Sequence, residues 1–281
     1  MRPEGEPPLR YQVERALGSR SGVSTLYAAT DLRGREVVLR VFTAELSADR
    51  EFRAEFARTA RIHAGLEHPN VVRLLDFSSD HNRQDGGPAL FIALERVAGA
   101  TLAERIEFAP LPLGPTLRMA ALVAKALHAA ARAGVQHRRL GTEAIMLDDD
   151  DVERPVLTDF GVGWSVEGPV PRPDPGALLG PAGALTPEAI RGAAPDARSA
   201  VYALGAIVYE CLAGVAPFDG ATRAELLHAH LAEPPPRLAE RAPHIPEAVG
   251  EVLVRAMAKA PGERPSEPLA LVEELERVKG R

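Results

Sequence analysis

The sequence predicts an α+β protein in two parts, a strand-rich first third followed by a mainly helical remainder. Three observations carry that prediction. Apolar residues in the first hundred positions alternate, as at Val37, Leu39 and Val41, which turns one face of a pleated strand toward a core. Beyond residue 98 the apolar spacing lengthens to three or four, as at Leu117, Ala121, Ala124, Leu127 and Ala131, which draws one stripe along a helix. The chain has 281 residues, 46% of them apolar, enough to bury a substantial core in one two-lobed domain or two small ones.

Taken in order, residues 1–8 read as a loose arm and 9–97 as a first lobe of short strands with one helix, in which Phe52, Phe56 and Ala60 recur at helical spacing. Residues 98–281 form the helical lobe. Its long helix stops at Gly134, a residue that leaves helical geometry without penalty. The acidic run Asp148 to Asp151 lies between two apolar strand fragments and reads as a solvated turn rather than a metal site. Residues 165–183 are rich in Pro and Gly, and no internal repeat interrupts the order. The single Cys211, in an apolar helix from Val201 to Ala213, excludes an intramolecular disulfide and reads as a small buried hydrophobe.

A net charge of -6, with no basic stripe carrying interleaved aromatics, argues against a nucleic-acid partner. The chain starts at Met1 and shows no leader and no apolar run of membrane-spanning length, so a cytoplasmic location is expected. Its lysines are Lys125, Lys259 and Lys279, none of them in the first lobe.

Motifs in a fixed order give a more specific reading. His137-Arg138-Arg139 is followed by Leu140 to Leu147 and then by Asp159-Phe160-Gly161. That run resembles the catalytic and metal-binding loops of protein kinases, H-R-D-x-K-x-x-N and D-F-G. Upstream, Tyr11 to Ala28 resembles the first strand, glycine-rich loop and second strand of bacterial Ser/Thr kinases. Val37-Val38-Leu39-Arg40 sits at the V-A-I-K strand, Phe52 to Ala64 at the helix after it, and His68 to Val72 at H-P-N-I-V. Leu90 to Val97 and Gly99 to Leu102 resemble the hinge; Thr186-Pro187-Glu188, Ser199 to Gly205, Pro217-Phe218 and Arg264-Pro265 match later landmarks. The resemblance covers nearly the whole chain and implies a protein-kinase-like fold with a β-rich first lobe and a mainly helical second one.

The same comparison shows where chemistry is lost. Arg40 takes the position of the phosphate-holding Lys and Thr59 that of the Glu orienting it; a planar guanidinium is not a conservative substitute at a tight phosphate site. Arg139 replaces the Asp that receives the hydroxyl proton, and a guanidinium stays protonated. Gly141 removes a second Lys and Ala144 a metal-ligating Asn, while Pro181 and Ala200 replace groups that brace the loop. Ser21 and Ser24 stand where the glycine-rich loop has glycines, and Ser165 is the one hydroxyl between Gly161 and Thr186, so activation by loop phosphorylation is not expected.

The reading therefore expects a chain that is not an enzyme: a degenerate kinase-like module with no intact catalytic residue at Arg40, Thr59, Arg139, Gly141 and Ala144, acting in cytoplasmic bacterial signalling as a protein-binding or allosteric module whose partner would be an active kinase or regulator. No cofactor would be required, with weak ATP and Mg2+ binding as the limit. By resemblance, the nucleotide-facing residues would be Leu17, Gly18, Leu26, Val38, Arg40, Leu94, Glu95, Val97 and Met146, and the metal position Asp159. The alternative is an atypical ATP-binding Ser/Thr kinase, or a nucleotidyl or phosphoryl transferase, with weak residual activity. Glu188 and Arg264 match the family's buried ion pair and are expected to be kept for the fold alone.

Overall fold

A computed structural model describes residues 10–20, 24–82, 88–148, 154–160 and 185–280. The arm at 1–8, the residues Ser21 and Gly22 of the glycine-rich loop, the acidic positions 149–151, and Ser165 and Pro181 lie outside them. The described residues fall into two compact units, one within 10–97 and the other made of 98–160 and 185–280.

The first unit is an antiparallel sheet of β1 (Tyr11–Arg20), β2 (Ser24–Asp31), β3 (Glu36–Phe42), β4 (Leu74–Asn82) and β5 (Pro88–Glu95), in the spatial order β1-β2-β3-β5-β4. The alternation along β3 does what it predicts: Val37, Leu39 and Val41 pack with Tyr27, Ala29, Phe91 and Ala93 into a core on one face. The sheet's partner on another side is helical. A short α1 (Ala44–Ala48) leads into α2 (Arg50–Ala64), whose start is capped by the Asp49 carboxylate accepting from the Phe52 N–H at 2.7 Å. Phe52 and Phe56 of α2 meet Phe42 edge-on, at ring separations of 5.6 and 5.4 Å.

In the second unit a small sheet of β6 (Gly99–Thr101), β7 (Ile145–Asp148) and β8 (Pro155–Leu157) accompanies the helices α3 (Leu102–Phe108), α4 (Leu113–Arg132), α5 (Pro187–Ile190), α6 (Ala197–Ala213), α7 (Arg223–Ala232), α8 (Glu247–Ala256) and α9 (Pro268–Val278). The α6 helix is apolar on every side and is buried from Val201 to Tyr209 and again at Cys211 and Leu212, as a central helix must be. Its neighbour α8 comes very close at Gly205, where an added Cβ would lie 2.9 Å from the Ala256 Cβ. Among the described residues no helix is long and apolar enough to cross a membrane.

One element departs from its expected face. The buried stripe of α4 runs through Leu117, Ala120, Val123, Ala124, Leu127 and Ala130, whereas Ala131 is exposed and Ala121 only half-buried. Alanine is small enough to be tolerated on either side of a helix, so an alanine-rich pattern leaves the stripe free to rotate by one residue.

Candidate functional site

In the first unit the sheet register gathers the expected nucleotide-facing residues. Leu26 pairs with Gly18 on one side and Arg40 on the other, and Val38 pairs with Ala28 and Leu94. Because side chains alternate, Leu26, Val38, Arg40 and Leu94 share one face of the sheet, opposite the face of Tyr27, Leu39 and Ala93. Gly18 has φ +141, a conformation that excludes most side chains, and Leu17 beside it is exposed. Glu95 and Val97 are half-buried, and the Glu95 carboxylate accepts from the Arg73 N–H at 3.0 Å.

Arg40 is 2% exposed, and its Nε–H donates to the Ser24 hydroxyl at 2.9 Å, with the guanidinium 5.3 Å from the Phe42 ring. Sequence reasoning treats Arg40 and Ser24 as two separate departures; the structure makes them one unit, a buried cation whose hydroxyl partner comes from the end of the glycine-rich segment. The β2–β3 register, Leu26 opposite Arg40, is what brings them together, and motif spacing does not contain it. Thr59 is also buried and donates its hydroxyl hydrogen to the Glu55 carbonyl at 2.9 Å, one helical turn back. A hydroxyl so used offers no anionic partner for a cation.

The second unit holds the segment around Asp159. The loop from His137 enters a single helical turn at Thr142–Ala144 and then β7, where half-buried Met146 pairs with Val156. The Thr158 N–H donates to the Ala144 carbonyl at 2.8 Å, and His137 Nε2–H donates to the Thr158 carbonyl at 2.7 Å. The His137 ring lies 4.6 Å from that of Phe160. Between Thr158 and Phe160 stands Asp159, with φ +56, alone among the described non-glycine residues in having a positive φ. That left-handed backbone costs about 1–3 kcal/mol and persists only where the surroundings impose it. Here Ala144, His137 and Phe160 impose it from both sides.

Burial pulls the His137 imidazole below its ordinary value, while Asp159 and the main-chain carbonyls offset part of that effect. The ring therefore sits as a neutral donor to Thr158. Arg139 is half-buried, and its N–H donates to the His137 carbonyl. Gly141 opens the helical turn and its carbonyl accepts from the Ala144 N–H at 3.0 Å; Ala144 is itself buried. Sequence reasoning also passed over a carboxyl pair next to this turn. Burial first, then the Glu143 charge, pushes Glu210 up to about 7, with a Thr142 hydrogen bond opposing them.

The donor set admits a limited metal site. No cluster of three or more His, Cys, Asp or Glu suited to a metal occurs among the described residues. Mg2+, however, is commonly held by one or two carboxylates with phosphate oxygens and water completing its shell. A single Asp159 carboxylate, pre-set by its backbone, fits an ion carried in on a nucleotide and does not fit a closed all-protein site.

Known proteins place this arrangement. The protein kinase domain family matches residues 11–275, and the chain belongs to that family. Among its relatives are the serine/threonine-protein kinase PknJ of Mycobacterium tuberculosis, 34% identical over 90% of this chain and 43% of the relative, and pkn3 of Myxococcus xanthus, 34% identical over 96% and 50%. The DNA damage-responsive kinase RqkA of Deinococcus radiodurans is 35% identical over 93% of the chain and 38% of the relative. The chain thus spans half or less of the length of these three. Among solved structures, the PknI kinase domain of Mycobacterium tuberculosis is 28% identical and covers 98% of each chain with a TM-score of 0.71, which shows the kinase fold with its β-sheet N-lobe and helical C-lobe.

These relatives correct one expectation. The losses at Arg40, Thr59, Arg139, Gly141 and Ala144 led to a chain that is not an enzyme, but relatives at about 34% identity over most of its length are Ser/Thr protein kinases and point to an enzyme. The physical reason the expectation overreached is that phosphoryl transfer depends chiefly on positioning and charge, so missing side chains lower a rate without abolishing the frame that sets it.

Proposed function

We propose that this chain is an ATP-dependent phosphotransferase of the bacterial Ser/Thr protein kinase type, working slowly through an unusual site. The nucleotide base would lie against the Leu26, Val38 and Leu94 face of the N-lobe sheet. Asp159 would be a ligand of Mg2+, and the ion would supply charge neutralisation for phosphate groups. Arg139 cannot take the proton of the accepting hydroxyl; loss of a general base lowers a rate by about 10²–10⁴, so slow turnover is expected. Arg40 supplies a permanent positive charge in the N-lobe, fixed by Ser24. Proteins bearing Ser or Thr are the expected acceptors, as the relatives' names imply for those kinases.

The observation that carries this reading is the strained Asp159 backbone, held at φ +56 by the Ala144–Thr158–His137 hydrogen bonds. A metal-binding loop with no use would be expected to relax to an unstrained conformation. The test is transfer of the ATP γ-phosphate, with Mg2+, to the chain itself and to a generic Ser/Thr-containing protein. Slow transfer that disappears in Asp159→Asn supports the reading; a wild-type signal no greater than that of Asp159→Asn removes it.

A further inference from the structure

The single turn Thr142–Ala144 is fastened to the last turn of α6 by a side chain on each. Thr142 is 2% exposed, and its hydroxyl donates to Glu210 Oε1 at 3.4 Å. Beside it the Glu143 Oε2 atom is buried with no hydrogen-bond partner among the described residues. Two carboxyl groups therefore meet where the turn rests on the helix. Both are half-buried, and neither forms an ion pair among the described residues.

The surroundings do not offset this charge. Among the described residues, Glu143 is the one charged group that acts on Glu210. On the helices packed against α6, His128 of α4 is paired with Glu267 and Arg255 of α8 with Glu274 of α9. On α3, which packs on the turn, the Arg105 guanidinium donates to the Ala109 carbonyl at 3.3 Å. The Cys211 thiol, next along α6, is pushed up by burial and by the Glu210 charge and stays protonated. Burial and the like charge of Glu143 favour a proton on Glu210.

The turn has a second attachment. The Ala144 carbonyl accepts from the Thr158 N–H at 2.8 Å and from its hydroxyl at 3.3 Å, and Thr158 precedes Asp159 with its left-handed backbone. The two sides of the Glu143–Glu210 contact differ in rigidity. The α6 helix is buried from Val201 to Tyr209 and again at Cys211 and Leu212, whereas the turn is three residues long. Repulsion between the carboxylates is therefore relieved by movement of the turn and, through Ala144, of Thr158.

We propose that Glu143 and Glu210 form a pH-sensitive latch on the Thr142–Ala144 turn: a proton on Glu210 holds the turn to α6 and Asp159 in its left-handed backbone, and loss of that proton loosens both. The sign follows from the closed state holding a proton that the open turn gives up. Closure is fully favoured below about 4.5 and loses its advantage as pH rises to about 7. The latch would govern the proposed transfer through Asp159, yet it is read from the backbone alone and stands or falls separately from that function.

Amide hydrogen exchange of Thr158, corrected for the intrinsic dependence on pH, reports how often the Thr158–Ala144 bond opens. Its protection factor is expected to fall between pH 5 and pH 8 by up to about tenfold per pH unit within the window, while that of Val208 inside α6 falls less. Glu210→Gln, neutral at every pH, is expected to keep Thr158 protected throughout. Glu143→Gln removes the repulsion but not the burial and is expected to shrink the fall. A Thr158 protection factor that does not change with pH, one that falls in step with Val208, or the same fall in Glu210→Gln would each overturn the latch. If Glu210→Gln fails to fold, Glu143→Gln decides, and an undiminished fall in that variant rejects the proposal.

Discussion

Arg264 shows how one residue holds the C-lobe together. Its fully buried guanidinium donates to both Glu188 carboxylate oxygens, at 2.7 and 3.0 Å, and to the carbonyls of Ala258, Arg198 and Lys259. Burial alone would raise the Glu188 carboxyl, but the hydrogen bonds from Arg264 and Ser199 hold it below its ordinary value. Glu188 therefore favours the folded state at neutral pH and loses that contribution on acidification. Glu188→Ala would strand the guanidinium at a cost of about 3–5 kcal/mol, read as a lower midpoint in denaturant unfolding. Glu210 has the opposite sign. Its folded value of about 7 lies above the ordinary 4.5, so the folded chain keeps a proton that the unfolded chain has released. Stability from this group falls as pH rises from about 4.5 to about 7. Glu210→Gln should flatten that slope in unfolding curves recorded across the window; an unchanged slope would show that the carboxyl is ionised in the fold. Glu188 and Arg264 were legible in the sequence because each sits in its own motif. The Ser24–Arg40 hydrogen bond and the Glu143–Glu210 proximity were not, because they depend on strand register and on a helix packing against a turn.

At the scale of elements, the close approach of α6 and α8 makes a sharp prediction. Gly205→Ala gains helix propensity, about 1 kcal/mol, yet places a Cβ 2.9 Å from that of Ala256, where overpacking costs about 1–3 kcal/mol. Net destabilisation is expected, with Ala256→Gly restoring the double variant; a double variant no better than the single one would show that the clash is relieved by another route. Element identity was largely readable. The β3 alternation and the capped, aromatic-bearing α2 appear where their patterns put them, because bulky side chains mark a face without ambiguity. The α4 face was misread by one position because its pattern rests on alanines, whose burial carries little free energy either way. The Ala144–Thr158 and His137–Thr158 bonds lie 14 and 21 residues apart in the chain and carry no local signature; only the fold assembles them.

For the molecule as a whole, the order of motifs was enough to name the fold, since about ten weak signals in register are together specific. The same motifs were a poor guide to whether the chain is an enzyme. Substituted side chains were visible at Arg139, Gly141 and Ala144, whereas the backbone strain at Asp159 and the hydrogen bonds that maintain it were not, and these are what support retained chemistry. Function resides in a site and not in a fold, so the whole reading turns on whether Asp159 holds a metal–nucleotide complex. Calorimetric titration of ATP into the chain, with and without Mg2+, tests that point most directly. The account predicts binding that Mg2+ strengthens in the wild type and leaves unchanged in Asp159→Asn; ATP binding indifferent to Mg2+ in the wild type, or no binding at all, would contradict it.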